Sequence, residues 1–289
     1  MPESPDQQTG TVAVIGAGTM GHGIAQVSAM AGYRVTLYDP QPGAVDKGLA
    51  RIGENLDKGV ERGKVAAGDA AATRARLAAA DAVKDAVKEA WLVIEAAPEQ
   101  MEIKERIFAD VYGFAPHGAI LATNTSSLSV TRIAAATGAP ERVIGLHFFN
   151  PVHIMKLLEV VRGSDTSDAT LDAALGYARA IGKEPIVVTD TPGFASSRLG
   201  ITLGLEAIRM VEQGVASPAD IDKAMELGYN HPMGPLKLTD LVGLDVRLGI
   251  AEYLHRELGG DQYAAPKLLR TMVAEGKLGK KSGEGFYKW

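Results

Sequence analysis

The chain has 289 residues, which at roughly 150 per domain suggests two domains. Its 46% hydrophobic and 22% charged residues describe a globular protein, and a formal net charge of −5 excludes the basic footprint of broad nucleic-acid binding. With no cysteine, disulfides, thiol nucleophiles, cysteine-ligated zinc and iron–sulfur clusters are excluded together.

The first ten residues are polar and lack a signal-peptide pattern, and no apolar run reaches the ~18 residues of a membrane span. A cytoplasmic protein with no membrane partner is expected. From there, short apolar runs alternate with helical stretches. Strands are expected at Thr11–Ile15, Arg34–Tyr38, Trp91–Glu95, Ala119–Thr123, Val143–Leu146, Leu157–Val161 and Pro185–Thr189. Helices are expected at Gly18–Ala31, Gly43–Arg62, Met101–Tyr112, Thr131–Thr137 and Ala169–Ile181. Apolar blocks without strict alternation suit strands covered on both faces, and strand–helix–strand alternation builds a parallel sheet with right-handed crossovers. After Asp190-Thr191-Pro192-Gly193 only helical periods remain, at Ser196–Gln213, Pro218–Leu227, Leu238–Leu258 and Ala264–Glu275. The expected fold class is α/β: a Rossmann-type, mostly parallel sheet over residues 1–190, then a smaller all-α domain over 191–289.

The first strand runs into Gly16-Ala-Gly18-Thr-Met-Gly21, a G-x-G-x-x-G turn that opens a helix. Gly16 permits the tight turn, Gly18 leaves room for a pyrophosphate, and Gly21 lets the helix pack on the strand. The anion would sit on the unpaired N–H groups at the helix start. An acid, Asp39, ends the next strand 23 residues after Gly16, near the ~20 expected for a group that binds the adenosine ribose hydroxyls. Asp39 would also repel a 2′-phosphate, and Pro40-Gln41-Pro42 supplies no arginine to neutralise one. NAD is therefore favoured, with NADP left open because Lys47 or Arg51 could reach a phosphate. The plainer reading of Asp39 is a cap on the following loop.

Of six histidines, His147 closes a β-run in Val143-Ile-Gly-Leu-His147-Phe-Phe-Asn150-Pro151. Ligands in open α/β sheets bind at the carboxyl ends of strands, and imidazole accepts a proton near neutral pH, as alcohol oxidation by NAD requires. Glu159, an acid inside the apolar strand Leu157–Val161, lies twelve residues on, enough to turn and run alongside. A buried carboxylate needs a partner, and His147 is the natural one.

These residues resemble the short-chain L-3-hydroxyacyl-CoA dehydrogenase family, nearest its bacterial 3-hydroxybutyryl-CoA dehydrogenases. The likeness extends from residue 10 to the end. It is carried by Asn124-Thr-Ser126-Ser127, His147-Phe-Phe-Asn150-Pro151 with Glu159, Asp190-Thr-Pro-Gly-Phe194, His231-Pro-Met-Gly-Pro235 with Asp240, Gly243-Leu-Asp245, and Gly279-Lys-Lys-Ser-Gly283-Glu-Gly-Phe-Tyr287. The resemblance implies His147 as acid/base, Glu159 as its carboxylate, Ser126 on the substrate's 3-oxygen and Asn150 in support. It also implies Glu99 and Lys104 at the cofactor's ribose or phosphates, Asn124 near the nicotinamide, an acyl-CoA substrate and a homodimer. Without it, Asn124 and Ser126 read equally well as turn or cap residues, and Glu99 with Lys104 as a solvated helix-face pair.

One departure stands out: Gly193-Phe-Ala-Ser-Ser197-Arg198 has serine where the family has asparagine or threonine, and Thr202 replaces a proline. Ser197 would meet substrate through water or more weakly, or would cap the helix. Lys47, Arg51, Lys58 and Arg62 could meet CoA phosphates. The other histidines form no metal-ligand spacing, and no metal is expected. A sugar-acid 3-dehydrogenase of L-gulonate type and a non-catalytic NAD-binding protein are the alternatives to a 3-hydroxyacyl-CoA dehydrogenase.

Overall fold

The computed structural model describes residues 10–289. Two compact units divide between Asp190 and Thr191. The first is built on an eight-stranded sheet: β1 (Thr11–Ile15), β2 (Arg34–Tyr38), β3 (Leu77–Ala79), β4 (Ala90–Glu95), β5 (Ile120–Thr123), β6 (Val143–Phe148), β7 (Leu157–Arg162) and β8 (Glu184–Thr189). Their spatial order is β3-β2-β1-β4-β5-β6-β7-β8. Every pairing is parallel except β6 with β7, which is antiparallel. The expected Rossmann-type, mostly parallel sheet followed by helices is the fold that forms.

Its helices are α1 (Gly21–Met30), α2 (Ala44–Glu61), α3 (Ala67–Ala75), α4 (Val83–Val87), α5 (Met101–Phe114), α6 (Val130–Ala134) and α7 (Asp168–Ala180). The central strand β1 is buried along its whole length, as its unbroken apolar run requires. Tyr177 of α7 reaches Ser28 of α1 at 2.6 Å and packs at a tilt against Tyr33 and edge-on against Trp91, so two helices far apart in sequence share one core.

The strand order reverses between β1 and β4, and at such a point the loops leaving neighbouring strands diverge and open a crevice. The strand ends there are stitched together by main-chain bonds. Gly16 N donates to Tyr38 O at 2.7 Å, Ala96 N to Ile15 O at 2.7 Å, and Asn124 N to Glu95 O at 2.8 Å.

The second unit contains α8 (Ser196–Glu212), α9 (Pro218–Gly228), α10 (Pro235–Val242), α11 (Leu244–Leu258) and α12 (Lys267–Ala274). Ile201, Leu205, Leu236, Leu244, Leu254 and Leu269 are among its buried core. Two buried acids peg it together. Asp222 accepts from Leu236 N, Lys237 N and Tyr287 Oη at 2.7–2.9 Å, and Asp240 from Phe286 N, Tyr287 N and Trp289 Nε1 at 2.9 Å. The Pro235, Asp240 and Gly285–Tyr287 motifs thus hold the chain end onto the helices. A side chain at Gly285 would lie 2.2 Å from Asp240 Oδ1.

The structure corrects the expected elements in four places. The helix expected over Leu238–Leu258 is two helices, because Gly243 takes φ +104°, outside the helical region. The three-residue β3 and the short α3 and α4 occupy a stretch whose alanine-rich sequence has no clear period. The α1 helix begins at Gly21, after the glycine turn. Strand β6 extends through His147 to Phe148.

Candidate active site

The loop after β1 has the steric signature of an anion cradle. Gly16 has φ +106°, and a Cβ there would lie 2.7 Å from Ala96 O; at Gly21 it would lie 1.7 Å from Gly16 O. Neither position admits a side chain. At Gly18, by contrast, a Cβ would meet nothing within 4 Å, so the backbone faces open space. No side chain caps the start of α1, where an anion would meet the helix N–H groups; that of His22 already donates to Gly18 O at 3.2 Å. Asp39 accepts from Ala17 N at 2.8 Å and from Gln41 N at 2.9 Å. It caps its own loop and is tied to the glycine turn as well. Two further lone-pair sites on this carboxylate remain to accept ribose hydroxyls. The arrangement fits a dinucleotide.

His147 and Glu159 are register partners on β6 and β7. Directly opposed residues of an antiparallel pair project to the same face, so the two side chains meet. His147 Nδ1 lies 2.6 Å from Glu159 Oε2, with His147 5% and Glu159 0% exposed. A carboxylate only accepts, so Nδ1 carries the proton and Nε2 is the basic nitrogen. The Phe149 ring packs 4.5 Å from the imidazole.

Next to this lies a second buried charge cluster. Lys104, on α5, is fully buried, which rules out a solvated helix face for it. Its Nζ donates to Glu95 Oε1 and Oε2 at 2.8 and 3.0 Å and lies 3.5 Å from Glu99 Oε2. Glu99 Oε1 in turn accepts from Thr125 Oγ1 at 2.6 Å, Ser126 N at 2.8 Å and Ser127 N at 3.2 Å. The structure therefore brings Glu99, Lys104 and Ser126 together. Glu95 belongs to no motif, yet an acid closing the apolar run Trp91–Ile94 is the same signal that marks Glu159.

Asn124 follows β5 and accepts from Phe148 N through Oδ1 at 2.9 Å, tying the serine turn to the histidine strand and leaving its NH2 group as a donor. Asn150 is exposed and precedes a cis peptide bond to Pro151. Ser197 lies in the first turn of α8, whose N-cap is Ala195, so it is not the cap. His22 Nδ1 is 2.7 Å from Gly18 O, beside the glycine turn. His153 has its basicity lowered by partial burial and by nearby His22 and Lys183. Among the described residues no three His, Asp or Glu side chains are grouped to hold a metal.

A glycine cradle and an acid at the switch point of a mostly parallel sheet define a dinucleotide-binding protein of Rossmann type. The family models agree: the 3-hydroxyacyl-CoA dehydrogenase NAD binding domain matches residues 11–191 and the C-terminal domain matches residues 193–289. The chain belongs to the 3-hydroxyacyl-CoA dehydrogenase family. It is 46% identical to a probable 3-hydroxybutyryl-CoA dehydrogenase of Bacillus subtilis (strain 168), over 96% of each chain. It is 45% identical to the 3-hydroxybutyryl-CoA dehydrogenase of Clostridioides difficile, over 96% of this chain and 99% of that one. The solved structure of (S)-3-hydroxybutyryl-CoA dehydrogenase PaaH1 from Ralstonia eutropha superposes with a TM-score of 0.93 at 42% identity, covering 96% of this chain and 98% of the other. No helix among the described residues is long and apolar enough to cross a membrane.

Proposed function

We propose that the protein transfers hydride reversibly between NAD and C3 of a short-chain 3-hydroxyacyl-CoA, interconverting 3-hydroxybutyryl-CoA and acetoacetyl-CoA. The observation that carries this is the buried His147–Glu159 pair at the carboxyl end of a dinucleotide-binding sheet. The substrate follows from relatives of near-equal length that bear that name.

Gly16, Gly18 and Gly21 with the α1 N–H groups hold the pyrophosphate, and Asp39 the adenosine ribose hydroxyls. Asn124, through its NH2 group, lies near the nicotinamide, and Glu99, backed by the buried Lys104, meets the cofactor's ribose or phosphate region. Bound NAD supplies the hydride acceptor. His147 Nε2 accepts the 3-hydroxyl proton as the carbonyl forms. Glu159 keeps the proton on Nδ1 and offsets the positive charge that the ring acquires. In the reverse direction the same imidazolium donates the proton. The Ser126 hydroxyl, supported by Asn150, hydrogen-bonds the substrate oxygen as its charge changes. Ser197 is a further substrate contact, weaker than an asparagine because it offers one hydroxyl in place of an amide.

The helical unit exposes Leu199, Leu238, Leu241, Val242 and Val246, apolar surface that supports a homodimer through this unit.

The test is loss of reduced-nicotinamide absorbance with acetoacetyl-CoA, run separately with NADH and NADPH. Turnover with NADH is expected, falling ~10³-fold in His147→Gln. Preference for NADPH overturns the role of Asp39 alone. No turnover with either cofactor overturns the proposed substrate.

A further inference from the structure

Glu95 accepts four hydrogen bonds beside the crevice, and no step above uses it. It ends β4 and is 1% exposed. Its carboxylate accepts from Lys104 Nζ on both oxygens, from Thr123 Oγ1 at 2.7 Å and from Ala97 N at 2.6 Å. These donors come from three places: the end of β5, the loop after β4, and helix α5. A carboxylate so held is a fixed anchor within the sheet. Its partner Lys104 has no exposed surface, so the ammonium has no route to water and is held between Glu95 and Glu99. Glu99 is 39% exposed at its side chain and depends on its partners for a fixed position. Its Oε1 receives the Thr125 hydroxyl and the main-chain N–H groups of Ser126 and Ser127. Glu95 holds Lys104, Lys104 restrains Glu99, and Glu99 gathers the turn.

We infer that Glu95 is a positioning residue: acting through Lys104 and Glu99, it fixes the Thr125–Ser127 turn so that the Ser126 hydroxyl is presented to the substrate oxygen. This rests on the role of Ser126 proposed above. The same geometry gives Lys104 a supporting role, because its ammonium is committed to two carboxylates. In Glu95→Gln an NH2 group replaces one acceptor and faces donors that are already in place. Lys104 is then left with Glu99 as its remaining carboxylate, and its shift toward Glu99 competes with the N–H groups of Ser126 and Ser127. Displacement of a reacting contact by about 1 Å costs on the order of 10²-fold in rate.

The experiment is a double-mutant cycle on the full-length protein, with Glu95→Gln, Ser126→Ala and the pair, measured with acetoacetyl-CoA and NADH. Glu95→Gln is expected to lower kcat ~10–100-fold with the KM for NADH changed less than about twofold. In the Ser126→Ala background the same substitution is expected to cost less than about threefold, because the group it positions is gone. Multiplicative losses in the double variant would overturn the inference and leave the role of Ser126 standing. A raised NADH KM with kcat unchanged would overturn it too, because Glu95 would then act through Glu99 on cofactor binding and not on Ser126. If Ser126→Ala alone has no effect, it is the proposed role of Ser126 that fails, and the inference falls with it. Should Glu95→Gln not fold, Thr123→Val removes one of the donors to Glu95 and leaves the ion pair. It should show a smaller loss of kcat, again absent without Ser126, and additivity would have the same meaning.

Discussion

Two buried acid–base pairs lie in the sheet unit, and they are built in opposite ways. His147 and Glu159 face each other across an antiparallel ladder, where register alone brings them to 2.6 Å. Glu95 and Lys104 come from a strand end and a helix, and the carboxylate is further gripped by Thr123 and Ala97. The basic partner in the first pair is an imidazole, the side chain suited to proton transfer; in the second it is a lysine Nζ held by Glu95, Glu99 and the Ala97 carbonyl. The lesson is that burial of a charge pair does not identify chemistry. What separates the two is the chemical type of the basic partner and the way it is held.

The sharpest way to break this comparison is Lys104→Met. It leaves the Glu95 carboxylate buried without its cation, and removing one member of a buried pair costs about 3–5 kcal/mol. Chemical denaturation should show that loss, and stability close to the parent would mean water replaces the ammonium. Glu159→Gln, which removes the charge but keeps the shape, should instead act mainly on turnover, lowering kcat ~10²-fold. If its effect is confined to stability, the histidine pair is structural and the contrast collapses.

A third buried cation sharpens the point because no carboxylate pairs with it among the described residues. Arg247 on α11 is 7% exposed, donates from one Nη to Gly200 O at 2.8 Å, and has an unpartnered Nε. Burial brings its pKa down to about 10, so the guanidinium keeps its charge at neutral pH but bears the cost of lost hydration. Arg247→Met should stabilise the helical unit by about 1–3 kcal/mol, read as a raised thermal midpoint. A lower midpoint would show that the Gly200 contact outweighs the buried charge. The smallest effect belongs to the exposed His153. Its folded pKa is below 6.5, so protons bind the unfolded chain more readily as pH falls through 6.5 and stability declines on the acid side. Denaturation at pH 7.5 and 5.5 should show a slightly shallower decline in His153→Gln; equal slopes would remove His153 as a source of acid sensitivity.

Much of this was legible in the residues themselves. The glycine turn and Asp39 announce themselves because their constraints are local: a tight turn, an open backbone and an acid one strand later. His147 and Glu159 were legible because an acid inside an apolar strand requires a partner. The same argument applies to Glu95, but its partner lies nine residues on within a segment that looks like a polar helix start. Lys104 reads as solvated until the fold closes over it. Asn124 and Ser126 were ambiguous between turn and site, and the structure gives both a structural bond, Asn124 to Phe148 N and Ser126 N to Glu99.

The sequence alone therefore determined the class of fold, the dinucleotide turn and the pairing of His147 with Glu159, since each rests on contiguous patterns of size, polarity and backbone freedom. Tertiary structure decided which charges lost their water. The burial of Lys104 against Glu95 and the stranding of Arg247 between α8 and α11 both depend on the closed packing of the helices. Desolvation is a property of the closed packing, and no local pattern encodes it.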